Sequence, residues 1–134
     1  MRRFFAQDRR GGRVRPGVVG GDVGVRAQAR AAALSLPEVS EQDHHGMRSI
    51  RVRGRIFATV PDDDHMRIMV DEPDILAAVA EFPGVCTPSW WGKRLACVVV
   101  DIQAAPTDLL PELLTQAWLR KAPKALHSLL PGAI

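Results

Sequence analysis

Apolar residues follow two different periods along this chain, and each period predicts a different kind of element. Stretches in which apolar residues recur about every three or four positions predict amphipathic helices. Short stretches rich in Val, Ile and Phe, bounded by Gly, Pro or Asp, predict strands. These patterns predict helices at 22–34, 71–82 and 107–122 with a short helix after Pro123, and strands at 47–52, 55–60, 65–70, 85–91 and 94–102.

Proline and acidic residues mark where the predicted helices begin and end. Pro37 ends the first helix near Leu34, because the residues before a proline avoid helical backbone. Asp71 or Glu72 caps the start of the second helix, where a side-chain oxygen can accept a free backbone amide. The polar segment 41–46 follows neither period and is interpreted as a turn.

The order of the predicted elements indicates the fold class. Strands joined as hairpins, with few helices between them, indicate an α+β fold and not a parallel sheet. We therefore predict an antiparallel five-stranded sheet with helices packed on one face. Pro88 places its strand at an edge, and the apolar run 95–100 predicts a better-buried strand. The other face is expected to meet water at least in part, and function is expected there.

The pairing of the first hairpin stays open, because Arg53-Gly54 can take part in turns of two lengths. A two-residue turn places Ile50 opposite Phe57 and Val52 opposite Arg55. A three-residue turn places Val52 opposite Ile56. The two alternatives exchange the faces of the strand, so the pattern does not decide which arginines flank the core.

A chain of 134 residues has the length of one domain that can bury a core. Residues 1–21 are rich in Arg and Gly and show no apolar period, which predicts a flexible N-terminal tail. Residues 22–134 form the predicted domain. The tail is either an extension without a role or an arm that binds polyanions.

The net charge of +3 is unevenly distributed along the chain. Residues 1–30 contain eight arginines and two acidic residues, whereas the remainder has a net charge of −3. Residues 48–55 contain four arginines and no acid, and residues 61–74 contain six acids and one arginine. A protein that coats nucleic acid by bulk charge would be basic throughout, so only a local basic surface is left for such a role.

The composition predicts a cytoplasmic protein. A hydrophobic content of 46% and a charged content of 25% are ordinary for globular proteins. No apolar run reaches the length of a membrane helix, and the first residues lack the pattern of a secretory signal. Cys86 and Cys97 are too few for a disulfide scaffold and are expected to be free, buried thiols.

His44 and His45, with Asp43 and Glu41 nearby, invite comparison with a metal site. Adjacent histidines in a strand diverge, and no third ligand stands at a recognised spacing, so a polar turn is the preferred interpretation. No metal or cofactor is predicted. The chain also lacks the GxSxG, phosphate-loop, dinucleotide and HExxH motifs, so no catalytic residue is predicted and a non-enzymatic function is expected.

The first candidate binding site consists of cationic residues at the turns of the two predicted hairpins: Arg51, Arg53, Arg55, Lys93 and Arg94. Arginine forks match phosphate oxygens, and such contacts give an affinity for nucleic acid that falls steeply with salt. The alternative is that these residues form only the polar face of an ordinary hairpin.

Trp90 and Trp91 are the second candidate site. Adjacent strand residues point to opposite faces, so one ring is expected to pack into the core. The other is then exposed and can stack on a base or on a planar ligand. The alternative is that both are packed or that one only shields a turn. Trp118 continues the apolar stripe of the last helix and is assigned to the core.

Four segments, in this order and spacing, resemble the MmcQ/YjbR family of small bacterial proteins: LSLPEVSEQDHHG, IRVRGRIFATV, WWGKR and AWLRKAPKAL. The resemblance runs from about Asp22 to Leu130. It implies a fold similar to that of bacterial frataxin, the CyaY-like α+β sandwich. It also implies DNA binding, because the hairpins of this family are likened to a double-wing motif. Ala96 stands where the family often has a further aromatic residue, and Arg53 stands where it often has Asn.

Two functions are therefore predicted as alternatives. One is weak, salt-sensitive DNA binding by the cationic residues of the two hairpins. The other is a binding module for a small planar molecule or a protein partner, on the open sheet face around Trp90 and Trp91. Neither involves a membrane or a cofactor, and a monomer is the default expectation.

Overall fold

A computed structural model of the chain describes residues 21–130. The predicted tail over 1–21 lies outside the described residues except for Gly21, where the first helix begins. The described elements, in chain order, are α1 (Gly21–Leu34), β1 (Val39–His44), β2 (Met47–Val52), β3 (Arg55–Val60), β4 (His65–Ile68), α2 (Glu72–Glu81), β5 (Cys86–Trp91), β6 (Arg94–Asp101), α3 (Leu109–Lys121) and a 3-10 helix (Lys124–Leu129).

The described strands form one six-stranded antiparallel sheet in the spatial order β1-β2-β3-β4-β6-β5. The predicted α+β class is confirmed, but the count of five strands is wrong. The additional strand is β1, which includes most of the segment 41–46 interpreted as a turn. β1 is an edge strand that is held by backbone pairing with β2. Its Ser40 and Gln42 side chains are exposed, so the strand lacks the apolar alternation that would have predicted it.

The helices begin and end where proline and acidic residues predict. α1 ends at Leu34. The Asp71 carboxylate accepts the backbone amide of Asp74 at 3.3 Å at the start of α2, and Pro123 separates α3 from the 3-10 helix. Within residues 21–130, no helix has both the length and the apolar character that a membrane span requires.

The three α-helices pack against one face of the sheet and share a single core with it. Trp118 is fully buried there, as predicted, and its indole Nε1 donates a hydrogen bond to the carbonyl of Pro37 at 2.9 Å. The order β6-β5 confirms that Pro88 lies on an edge strand and that β6 is flanked on both sides. The largest fully buried side chains are Trp118, Phe57, Ile50, Met66, Ile68, Ile75, Leu109, Leu113 and Leu114.

The first hairpin has the two-residue turn. Arg53 and Gly54 both have positive φ, 51° and 81°, as a tight hairpin turn of the primed type requires, and Val52 pairs with Arg55. The two-residue turn is therefore correct and the three-residue turn is excluded, but the predicted pairing of Ile50 with Phe57 is wrong, because Ile50 pairs with Ala58.

A β-bulge on β3, beyond this turn, decides which β3 side chains lie on the core side of the sheet. Arg51 pairs with Ile56 and Ile50 pairs with Ala58, so Phe57 is the additional residue. Phe57 and Ala58 are consequently both in the core. Ile50 faces the core with them, and Arg51 lies on the opposite face, which we call the open face.

Antiparallel pairing places the two basic hairpin turns at the same end of the sheet. β2 and β5 run toward this end, and β3 and β6 run away from it. The turns Arg53-Gly54 and Gly92-Lys93 therefore share the end that we call the hairpin end. The acidic loop Asp62–Asp64, which joins β3 to β4, lies at the opposite end.

Candidate functional site

A groove of about 570 Å³ lies on the open face and extends from the hairpin end, where Gly54 and Arg94 line it, toward the opposite end, where Met47 lines it. Its apolar lining includes Met47, Ile56, Met69 and Ala96, and Trp91 stands at its side. The cationic side chains that line it come from β2, β4, β6 and the last turn of α3. We call it the basic groove, and these five residues are Arg51, Arg67, Arg94, Arg120 and Lys121.

The charge of the basic groove is of one sign. Within residues 21–130, none of the lining residues is acidic. None of the five cations forms an ion pair with a described carboxylate either. Five like charges around a concave surface produce a positive potential, and this potential favours an anionic ligand.

Arg51 is held on the open face by a short chain of hydrogen bonds. Its Nε donates to the Ser49 hydroxyl at 3.0 Å, and that hydroxyl donates to the carbonyl of Gln42 at 3.0 Å. The guanidinium is thereby fixed at its inner nitrogen, while its two outer nitrogens remain available as donors.

Thr59 and Arg67 lie directly opposite each other on β3 and β4, on the open face. Thr59 is only 7% exposed, and its Oγ1 has no hydrogen-bond partner among the described residues. Buried hydroxyl groups in proteins are normally hydrogen-bonded. Arg67, the partner of Thr59 across the two strands, also lines the groove.

Trp91 and Arg94 stack on each other at the hairpin end of the basic groove. The Arg94 guanidinium carbon lies 5.4 Å from the centroid of the indole, within the range of a cation–π contact. The two residues pair across β5 and β6. Together they present a planar, partly exposed surface next to positive charge.

The last turn of α3 closes the groove on one side. Arg120 Nη1 donates to the carbonyl of Met69 at 3.0 Å, which anchors this turn to the end of β4. The pKa of Lys121 is lowered by partial burial and by repulsion from Arg120, Arg55 and Arg94. An anion in the groove would relieve this repulsion.

Four of the five cationic residues predicted from the hairpins lie at one end of the sheet without a carboxylate partner among the described residues. Arg51 and Arg94 both line the basic groove, although β3 and β4 separate their strands. Arg55 is exposed at the start of β3, near Lys121. Lys93 is exposed in the turn between β5 and β6.

Arg53 differs from the other four because a carboxylate partner holds it. Its Nε donates to Oε1 of Glu38 at 2.6 Å, just before β1. The sequence places Arg53 at the tip of a basic hairpin but does not indicate this partner. Glu38 reaches Arg53 only because β1, which follows it, pairs with β2. The polar residues of β1 had predicted a turn and not a strand, so this contact could not be expected.

Trp90 and Trp91 are 55% and 54% exposed, so the expectation that one ring packs into the core is wrong. They do point to opposite faces, because β5 is regular at this position and the bulge lies on β6. Both rings stand at the end of an edge strand, beyond the reach of the core. Trp91 lines the basic groove, and Trp90 lies on the other face.

Four polar or charged groove residues are absent from the predicted site: Thr59, Arg67, Arg120 and Lys121. The alternation H-M-R-I of β4 indicates that Arg67 faces away from the core, so this signal was present in the sequence. Arg120 and Lys121 stand at the end of a helix, and only the packing of α3 brings them to the sheet. The unpartnered hydroxyl of Thr59 has no signature in the sequence.

None of the described thiols or histidines is among the residues that line the groove. Cys86 and Cys97 are free and buried, as predicted, and burial raises the pKa of Cys86 to about 12. His65 Nδ1 lies 3.0 Å from Asp62 Oδ1 at the acidic end of the sheet, and the side chain of His44 is outside the described part. Among the described residues, no group of three His, Cys, Asp or Glu side chains is placed to hold a metal ion.

A wider and shallower depression of about 720 Å³ lies along α3, outside the open face. Asp71, Asp108, Glu112 and Arg120 line it, so its charges are of both signs. This mixture favours no class of ligand. The basic groove is therefore the candidate site.

Comparison with known proteins identifies a family for this chain but no individual relative. A sequence model of the YjbR family matches residues 34–120, which is more than half of the 134 residues. No curated protein and no solved structure matches the chain. The matched region contains both hairpins and every cation of the basic groove except Lys121. The resemblance noted in the sequence is confirmed, and the chain belongs to the YjbR family.

Proposed function

We propose that this protein is a non-enzymatic, cytoplasmic DNA-binding protein that contacts phosphates with the basic groove and the hairpin end of its sheet. One observation carries the proposal: cations from four separate elements converge on one concave surface that has no acidic lining residue in the described part of the chain. Exposed Arg55 and Lys93 extend the positive charge beyond the groove.

The charge distribution also favours one orientation of the bound DNA. The acidic loop Asp62–Asp64 stands at the end of the sheet opposite the hairpin end, so it would repel a duplex laid along the strands. A duplex across the hairpin end meets only the basic part of the face. The contacts would be to phosphates and not to base edges, and the affinity would then be weak and nearly independent of sequence.

The test is the affinity of the full chain for a fluorescently labelled DNA duplex, measured by anisotropy over a range of salt concentrations. The substitutions Arg51→Ala, Arg55→Ala and Arg94→Ala are combined in one variant. We expect this variant to bind more weakly. Its salt slope should be smaller by roughly 0.9 for each phosphate that the variant can no longer neutralise.

A control carries Arg26→Ala and Arg30→Ala on α1, and so removes two cations where the groove variant removes three. These arginines lie near Asp64 and Glu41, at 3.8 Å and 2.6 Å, so the control removes the same kind of charge from a surface that acids already neutralise. We expect the control to keep most of the parent affinity. Equal decreases in the two variants, or no duplex binding by the parent at low salt, would contradict the proposal.

A second candidate function is the binding of a small planar molecule without nucleic acid. The half-exposed rings of Trp90 and Trp91 favour it. Quenching of tryptophan fluorescence by a planar compound, combined with no response to DNA, would select this candidate over the first.

A further inference from the structure

The floor and the rim of the basic groove offer two different kinds of contact. The floor holds the unpartnered Thr59 hydroxyl with Arg67 beside it, and the rim holds the Trp91 indole. A volume of about 570 Å³ is within the range of sites that enclose a small ligand. A duplex touches a protein with the outside of its backbone, so it reaches a rim more readily than a recessed floor.

The floor has the chemistry of a phosphate site. Thr59 lines the groove, is 7% exposed, and its hydroxyl has no hydrogen-bond partner among the described residues. Arg67 and Arg51 supply guanidinium donors on the same face. A phosphate monoester, with its high charge and three terminal oxygens, matches such a set of donors.

The distance between floor and rim indicates the length of the ligand. Thr59 aligns across the sheet with Arg67, Val99 and Thr87, which spans three strand spacings or about 14 Å. Trp91 lies about 13 Å farther along β5 than Thr87 at the usual rise per residue. A free phosphate is too short to contact both ends, whereas a short strand of linked nucleotides can follow the groove.

We propose that the basic groove binds the phosphorylated end of a single-stranded nucleic acid, with the terminal phosphate at Thr59 and Arg67 and the adjoining bases running toward Trp91. The proposal rests on the proposed function, since both use the same positive surface. Unpaired bases stack on exposed aromatic rings, which paired bases inside a duplex cannot do. Met47, Ile56 and Ala96 supply apolar lining for the sugars and bases between the two ends.

The test uses the full chain and oligothymidylates of about six nucleotides, within the usual range of a single-strand site. Each carries a fluorophore at one end and either a phosphate or a hydroxyl at the other, in both polarities. For one polarity, we expect the phosphorylated strand to bind about tenfold more tightly than its hydroxyl counterpart. Equal affinities in both polarities would overturn the proposal.

Three variants assign this preference to the residues. Thr59→Val keeps the shape of the side chain and is expected to reduce the phosphate preference to about twofold or less, whereas Thr59→Ser is expected to keep it. Trp91→Leu is expected to weaken both strands equally, and Trp90→Leu, on the other face, is the matched control. A full phosphate preference in a folded Thr59→Val variant, or its loss in Thr59→Ser, would contradict the placement of the phosphate.

Two further probes separate the sources of phosphate and the two proposals. Inorganic phosphate and thymidine monophosphate are expected to compete only at much higher concentrations than the phosphorylated strand. If the monophosphate competes equally well, the strand part of the proposal is wrong. Duplex binding without any end preference would overturn this inference alone, and binding of neither duplex nor single strand would overturn the proposed function with it.

Discussion

Arg53 and Glu38 form an ion pair at the hairpin end of the sheet, with Arg53 Nε donating to Glu38 Oε1 at 2.6 Å. The pair lowers the pKa of the Glu38 carboxyl and raises that of the Arg53 guanidinium, chiefly through this hydrogen bond. The most prominent arginine of the first turn is thus already matched by an acid. The charge available to a polyanion lies in the groove behind it.

The first prediction follows from this pairing. We expect Arg53→Ala to change the duplex affinity by less than about twofold, because an exposed ion pair contributes little and the arginine's charge is already offset by Glu38. Arg51→Ala removes an unpaired cation from the groove and should weaken binding by more. Glu38→Gln frees Arg53 and should strengthen binding. Anisotropy titrations at one low salt concentration measure all three, and an Arg53→Ala effect as large as that of Arg51→Ala would refute the ranking.

The second prediction concerns Trp118, which joins α3 to the segment after α1. Trp118→Phe removes the hydrogen bond from Nε1 to Pro37 and leaves a small cavity in the core. We expect a decrease of about 2–4 kcal/mol in the free energy of unfolding, measured by chemical denaturation. Trp90→Phe, at a half-exposed position, should stay within about 0.5 kcal/mol of the parent. A similar decrease in the two variants would contradict this account of the core.

The third prediction uses the pKa of Lys121, which is lowered in the folded protein by burial and by neighbouring arginines. Between the folded pKa and the ordinary value of 10.5, the unfolded chain binds more protons than the folded one. The contribution of Lys121 to stability therefore rises with pH across this window, and it is unfavourable below it. We expect Lys121→Met to be more stable than the parent near neutral pH, with a difference that shrinks as the pH rises toward 10.5.

Denaturation of the two proteins over a series of alkaline pH values measures this difference. Lys124→Met is the control, since Lys124 is exposed on the 3-10 helix. A stability difference for Lys121→Met that grows with pH would show that the charged amine is stabilised where it stands.

The fourth prediction concerns the thiols. Burial raises the pKa of Cys86 to about 12 and also raises that of Cys97, although the Ser89 hydroxyl and the Arg67 charge oppose the shift at Cys97. Because the thiolate is the reactive form, both residues should react very slowly with a disulfide reagent in the folded protein at mildly alkaline pH. Unfolding should release two reactive thiols per chain. Rapid labelling of either thiol without denaturant would mean that this part of the sheet opens readily.

Local sequence signals predicted most of the fold. Pro37, Asp71 and Pro123 mark helix boundaries that the structure reproduces, because capping and the restricted backbone of proline act within a few residues. β1 was not predicted, because the interactions that hold it are not local in the sequence. An exposed edge strand such as Val39–His44 is held by pairing with its neighbour, and its polar side chains carry no periodic signal.

The candidate site was predictable in part. Arg51 and Arg94 were recognisable because each adjoins a turn that its own segment specifies. Arg120 and Lys121 were not, since the position of the last turn of α3 depends on helix packing against the whole sheet. The prediction that Trp90 or Trp91 packs into the core was wrong for a related reason. Alternation gives the opposite directions of the two rings, but only the outline of the core decides whether a ring is covered.

The sequence by itself determined the α+β class, the helix ends, the basic residues at two turns and the membership of the YjbR family. Each of these depends on short-range chemistry or on the order of segments along the chain. Tertiary structure decided the bulge that places Thr59 on the open face, the pairing that neutralises Arg53, and the gathering of five cations in one groove. These features depend on contacts between residues far apart in the chain. No local pattern encodes them, because the energy of each contact exists only once the strands and helices have packed.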